Sequence, residues 1–170
     1  MKKQLKISAF MLLLMGSAAG SFAQATATSN ATATIVTPIS ITKTVDMNFG
    51  NVAVATTPGG TVVLTPAGTR TSTGGVTLPS TTGTVTAASF NVAGQGVYTY
   101  SITLPSTALT ITSGANTMTV TAFTSTPSGT GTLTAGAQVL NVGATLNVAA
   151  AQPAGVYTSA TPFDVTVNYN

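Results

Sequence analysis

The sequence predicts an all-β chain folded as one antiparallel sandwich. Three observations point there. Apolar and polar residues alternate with period 2 along most of the chain, and no stretch holds a helical period. Clusters of Gly, Pro, Ser and Asn interrupt these runs at short intervals. Only 4% of residues are charged against 44% hydrophobic, and threonine is the leading polar residue. Thr is β-branched and suits a pleated, half-exposed surface. Strict alternation favours antiparallel sheets with one face on the core and one in water. Short strands joined by Gly- and Pro-rich turns favour an immunoglobulin-like sandwich over a barrel.

Residues 1–23 read as a signal peptide. Lys2, Lys3 and Lys6 form a basic start, and Phe10-Met11-Leu12-Leu13-Leu14-Met15 an apolar run. Small residues follow, ending in Ser21-Phe22-Ala23. Small side chains at positions −3 and −1 fit the signal peptidase pocket, so cleavage is expected after Ala23. The expected destination is the cell surface or the medium, by way of the periplasm. The apolar run is too short to span a bilayer, and no later segment is long and apolar enough. With no cysteine, a lipid-anchored lipoprotein is excluded.

Residues 24–36 form an amino-terminal extension, and residues 37–170 the sandwich. In the extension Ala25, Ala27, Ala31 and Ala33 alternate with threonines, which predicts strands. Ile39 and Ile41 then share a face, as do Val45, Met47 and Phe49. Thr61-Val62-Val63-Leu64 reads as a short strand. Ala88, Phe90 and Val92 alternate, as do Tyr98, Tyr100, Ile102 and Leu104, and later Met118, Val120 and Ala122. Leu140-Asn141-Val142 and Leu146-Asn147-Val148 predict two short strands broken at Gly143. The last strand is the cleanest. Phe163, Val165, Val167 and Tyr169 face one way, with Asp164, Thr166, Asn168 and Asn170 opposite. Leu-Pro-Ser-Thr occurs at Leu78 and Leu104, and Gly-Val-Tyr-Thr at Gly96 and Gly155, without a common period. A solenoid is therefore not expected.

The residue inventory argues against catalysis. The chain has no His, Cys or Glu. General acid–base chemistry needs a group titrating near working pH. Asp46 and Asp164 could form a carboxylate pair only by facing each other across a sugar, and nothing else resembles such a site. Lys43 lies in no nucleophile motif. Zinc needs His and Cys, and calcium several carboxylates in one loop, so no metal or other cofactor is expected. The net charge of +3 rests on the three leader lysines. Beyond them Lys43 and Arg70 balance Asp46 and Asp164, so no basic patch remains for nucleic acid.

Three segments together resemble a family of uncharacterised bacterial secreted domains. They are Asp46-Met47-Asn48-Phe49-Gly50, Val142-Gly143-Ala144-Thr145-Leu146, and Ala154-Gly155-Val156-Tyr157 with the closing run from Phe163 to Tyr169. That family is similar in pattern to spore coat protein U domains and to common-pilus-type chaperone–usher fimbrial subunits. The resemblance implies a fibre subunit that self-associates into a polymer with help from a periplasmic chaperone and an outer-membrane usher. Such pilins are incomplete sandwiches completed by the amino-terminal segment of the next subunit. The resemblance assigns the donor face to Ala25, Ala27, Ala31 and Ala33. It assigns the acceptor to the terminal strand with Phe163, Val165, Val167 and Tyr169. Gly155 and Tyr157 would form the turn that launches that strand, with Tyr157 bonding back as a tyrosine corner. Three features depart from the pattern. The donor face is Ala where larger side chains are usual, each forfeiting roughly 2 kcal/mol of burial relative to Leu. No disulfide can form, and the glycine before the terminal strand stands at a different spacing.

Two other classes fit the composition less well. A self-contained secreted sandwich would bind glycans or a surface partner through its loops. The chain has no Trp, however, and few aromatics to serve as sugar platforms. A threonine array ordering water normally needs many stacked regular copies, and no fixed period appears here. Low charge, many strands and an open edge together suit self-association.

Overall fold

The computed structural model describes residues 23–170. The leader read over residues 1–23 lies outside the described residues, but for Ala23. The chain divides into two units, Met1–Thr34 and Ile35–Asn170. Residues 23–34 of the first carry no regular secondary structure, and all their side chains are exposed. The strands expected from the alternation of Ala25, Ala27, Ala31 and Ala33 do not form there. Isolated strands are unstable without a ladder partner, and methyl side chains bury too little area to hold one.

The second unit is all-β. Its strands in order are β1 (Ser40–Val45), β2 (Asn48–Phe49), β3 (Ala53–Val54), β4 (Gly60–Leu64), β5 (Arg70–Gly74), β6 (Val76–Thr77), β7 (Val85–Thr86) and β8 (Ala88–Ala93). Beyond them come β9 (Thr99–Thr103), β10 (Leu109–Ser113), β11 (Asn116–Thr126), β12 (Thr130–Thr132), β13 (Ala137–Val148), β14 (Thr158–Ser159) and β15 (Thr166–Tyr169). The largest sheet runs β1-β8-β13-β11-β10-β14, with β4 added to β13 and β5 to β4. A second sheet runs β12-β9-β15, and β2-β7 and β3-β6 form two ribbons. All pairings are antiparallel, as the alternation predicts. Among the described residues no helix is long and apolar enough to cross a membrane.

The two larger sheets face each other as a sandwich. Phe90, Val92, Leu140 and Val142 of the large sheet meet Tyr100 and Val167 of the small one in the first core cluster. A second cluster gathers Val62, Val120, Ala144, Leu146 and Val148 beneath Val76 of one ribbon. Val62 and Leu64 are buried and Val63 is exposed, as period 2 requires.

Within the large sheet, β13 and β11 differ from the sequence expectation. The strands expected on either side of Gly143 are one strand, β13. Its first half pairs with β8 and its second with β4, while β11 covers the opposite edge. Gly143 is no break. A Cβ there would strike the backbone of Leu64, Thr65 and Pro66, so glycine makes room where β4 leaves the sheet. The second difference is at Ala122, expected in phase with Met118 and Val120. It is exposed, with a φ of 48°, and the β11–β13 register shifts between Thr121 and Thr124. Such a bulge inserts an extra residue and reverses the facing of the residues beyond it. Phe123 thereby joins the core side.

Candidate functional site

The candidate site is the free edge of the terminal strand. Period 2 places Val167 in the core, with Phe163, Val165 and Tyr169 half-buried on the same side. Asp164, Thr166, Asn168 and Asn170 are exposed. One edge of β15 pairs with β9, from Thr166 opposite Thr103 to Tyr169 opposite Tyr100. Among the described residues no strand pairs with its other edge. β1 comes close to β15. Its own ladder runs to β8 in the other sheet, so a seam separates β1 from β15.

Apolar side chains line this seam without being fully covered. Ile39, Ile41, Phe163 and Val165 are partly buried and pack on the first core cluster. The Phe163 ring stands edge-on to Phe90 at 6.5 Å and tilts against Phe123 at 5.0 Å. The bulge at Ala122 is what brings Phe123 to it. Unpaired backbone N–H and C=O groups beside half-covered apolar side chains are the chemical requirements of strand addition. The ladder would supply hydrogen bonds, and alternate side chains of an added strand would enter the seam.

One end of the seam is tied by hydrogen bonds. The Tyr169 hydroxyl accepts from the backbone N–H of Gln95 at 2.6 Å and donates to the carbonyl of Thr37 at 2.8 Å. The Gln95 Oε1 accepts from the N–H of Thr37 at 3.2 Å. Gly94 must lack a side chain because its Cβ would collide with the Tyr169 hydroxyl. The Tyr98 ring leans on Tyr169 at 5.6 Å. Residues 94–96 carry only a turn signal in the sequence. The knot is invisible there, because hydrogen bonds between distant residues leave no periodic pattern.

The other expected site residues are not part of the terminal strand. Ala25, Ala27, Ala31 and Ala33 belong to the first unit. Gly155 and Tyr157 precede β14, which pairs with β10 in the large sheet. The Tyr157 hydroxyl donates to the carbonyl of Pro153 at 2.8 Å and accepts from Gln152 Nε2 at 2.9 Å. The turn therefore leads into β14, and the terminal strand begins only at Thr166.

Of the charged groups, Lys43 lies on β1 two residues after Ile41, and Asp164 stands between Phe163 and Val165. Lys43 pairs with Asp46, both largely exposed, and such pairs contribute little. The Arg70 guanidinium donates to the backbone carbonyls of Phe49, Asn51 (2.8 Å) and Thr82 (3.3 Å), stapling two loops. Asp164 is exposed. Burial pushes the Tyr100 hydroxyl above its ordinary range, and it donates to Gln138 Oε1 at 2.7 Å. Among the described residues no three His, Cys, Asp or Glu side chains cluster to hold a metal ion.

No curated protein and no solved structure matches the chain. A family model does match, over residues 39–169, which takes in every strand of the sandwich from Ser40 to Tyr169. By that match the chain belongs to DUF4402, a family defined by a domain of unknown function.

Proposed function

We propose that the chain is an exported, non-enzymatic structural subunit of a surface fibre, polymerising by strand addition. Residues 24–36 of one copy occupy the free edge of Thr166–Tyr169 in the next. The observation that carries this reading is the unpaired edge of β15 above the half-covered seam of Ile39, Ile41, Phe163 and Val165. A single strand fits such an edge, and its side chains at every second position meet the seam. Ala25, Ala27, Ala31 and Ala33 have the required alternation, though they offer small contacts. A segment without regular structure acquires strand conformation when a ladder partner is present.

Three further observations support the reading. The motifs around Phe49, Gly143 and Tyr157 resemble those of spore coat protein U domains and common-pilus subunits. A periplasmic chaperone would then shield the edge during export, and an usher would direct the exchange. The absence of His, Cys and Glu leaves little material for catalysis. The basic, apolar and small-residue segments of residues 1–23 supply an export signal.

The test is a denaturing gel of protein taken from native cells, loaded unheated and boiled. A ladder collapsing to one band on boiling is expected, and deletion of residues 24–36 should abolish it. A single monomer band in both lanes would leave a self-contained secreted sandwich acting through its loops.

A further inference from the structure

Exposed apolar side chains stand at the root of the extension and on the turn tied to it. Ile35 is 97% exposed, Val97 75% and Tyr98 46%. They belong to two segments that the Tyr169 knot holds together. Thr37 is tied to Gln95 through its N–H and to Tyr169 through its carbonyl. Ile35 stands two residues before Thr37, and Val97 two after Gln95, so each lies within about 7 Å of chain from a fixed point. Pro38 restrains the chain further, since it locks its own φ and confines Thr37 to extended conformations. No charged residue occurs in residues 35–38 or 94–98. Both segments are thus uncharged, and each is anchored at the knot.

From these observations we infer that this end of the sandwich is a contact surface for a second copy of the chain, centred on Ile35, Val97 and Tyr98. The inference rests on the fibre reading above. The segment that departs from Ile35 is the one that enters the neighbour's seam. The neighbour must therefore arrive at the point of departure, where these side chains stand. Their burial would add an apolar contact to the strand ladder and fix the angle between successive subunits. Neither segment carries an ion to be desolvated as two copies close.

The chain contains no cysteine, so a single introduced thiol reports its own surroundings. Val97→Cys is made in the full chain, with Val156→Cys, 83% exposed and distant in sequence, as the reference. Maleimide labelling rates are measured in the polymer and monomer fractions separated by size. The expected result is labelling at Val97→Cys slowed at least about tenfold in the polymer, a shift equivalent to about 1.4 kcal/mol of protection. Labelling at Val156→Cys should be equal in the two fractions. Equal rates at Val97→Cys in a polymer that does form would overturn this contact and leave strand addition standing. Absence of any polymer would overturn the fibre reading and the contact with it.

Discussion

The hydroxyl of Tyr169 reaches the carbonyl of Thr37, 132 positions earlier in the chain, across 2.8 Å. It thereby joins the strand with the free edge to the root of the amino-terminal segment. Tyr169→Phe keeps the ring against Tyr98 and removes only this link and the acceptor for the Gln95 N–H. The expected loss is about 1–3 kcal/mol, since a partly buried donor is left without its partner. Urea unfolding checks it. The midpoint should fall while the slope stays unchanged.

Stability should also depend on alkaline pH through Tyr100. Its hydroxyl is held above the ordinary range by burial. Below about pH 10, the ordinary value for tyrosine, it is protonated folded and unfolded, and its contribution is complete. Above that value the unfolded chain ionises first and binds fewer protons than the native one. Stability then falls as pH rises, until the folded hydroxyl ionises too. Tyr100→Phe should flatten the fall of the urea midpoint across this window, although its starting stability is lower without the bond to Gln138.

Gly143→Ala places a methyl group against the backbone of Leu64, Thr65 and Pro66, none of which is a flexible side chain. The expected cost is about 1–3 kcal/mol of overpacking. Gly68→Ala is the comparison, since a Cβ there meets nothing within 4 Å and bears only the strain of a φ of 81°. Thermal unfolding should rank Gly143→Ala as the more damaging change. The reverse order would mean that β4 shifts to accommodate the methyl.

Arg70→Lys tests the loop staple. A lysine keeps the charge but has no planar fork to reach the carbonyls of Phe49, Asn51 and Thr82 together. About 1–2 kcal/mol should be lost locally. The sensitive readout is amide hydrogen exchange at Asn51, whose N–H bonds to the Thr82 carbonyl at 2.7 Å. It should exchange faster in the variant while amides of β9 are unaffected.

Much of the sandwich is legible because burial imposes period 2 directly on sequence. The facing of Phe163, Val165, Val167 and Tyr169 comes from that alone, whereas Val62-Val63-Leu64 is apolar throughout and shows a strand without showing which side is buried. The bulge at Ala122 is not legible. Alanine gives no hint of a positive φ, and the phase reversal at Phe123 shows only against the β13 register. Gly143 misleads for a related reason. Glycine marks both a break and a close approach of backbones, and only the neighbouring strand distinguishes them. The free edge of β15 could be inferred from resemblance alone, because pairing partners are a property of topology. The link from Thr37 to Gln95 and Tyr169 depends on side-chain direction across distant segments, which alternation does not encode.

Strand β13 has a consequence for how the sandwich comes apart. Leu140 and Val142 lie in one core cluster, and Ala144, Leu146 and Val148 in the other. Melting either cluster strips the ladder from half of this strand and exposes the flank of the other half. The two clusters are thus thermodynamically coupled and should unfold in one transition, despite the short ribbons around them. The slowest amides to exchange should be those of Ala137–Val148, opening only with the whole domain.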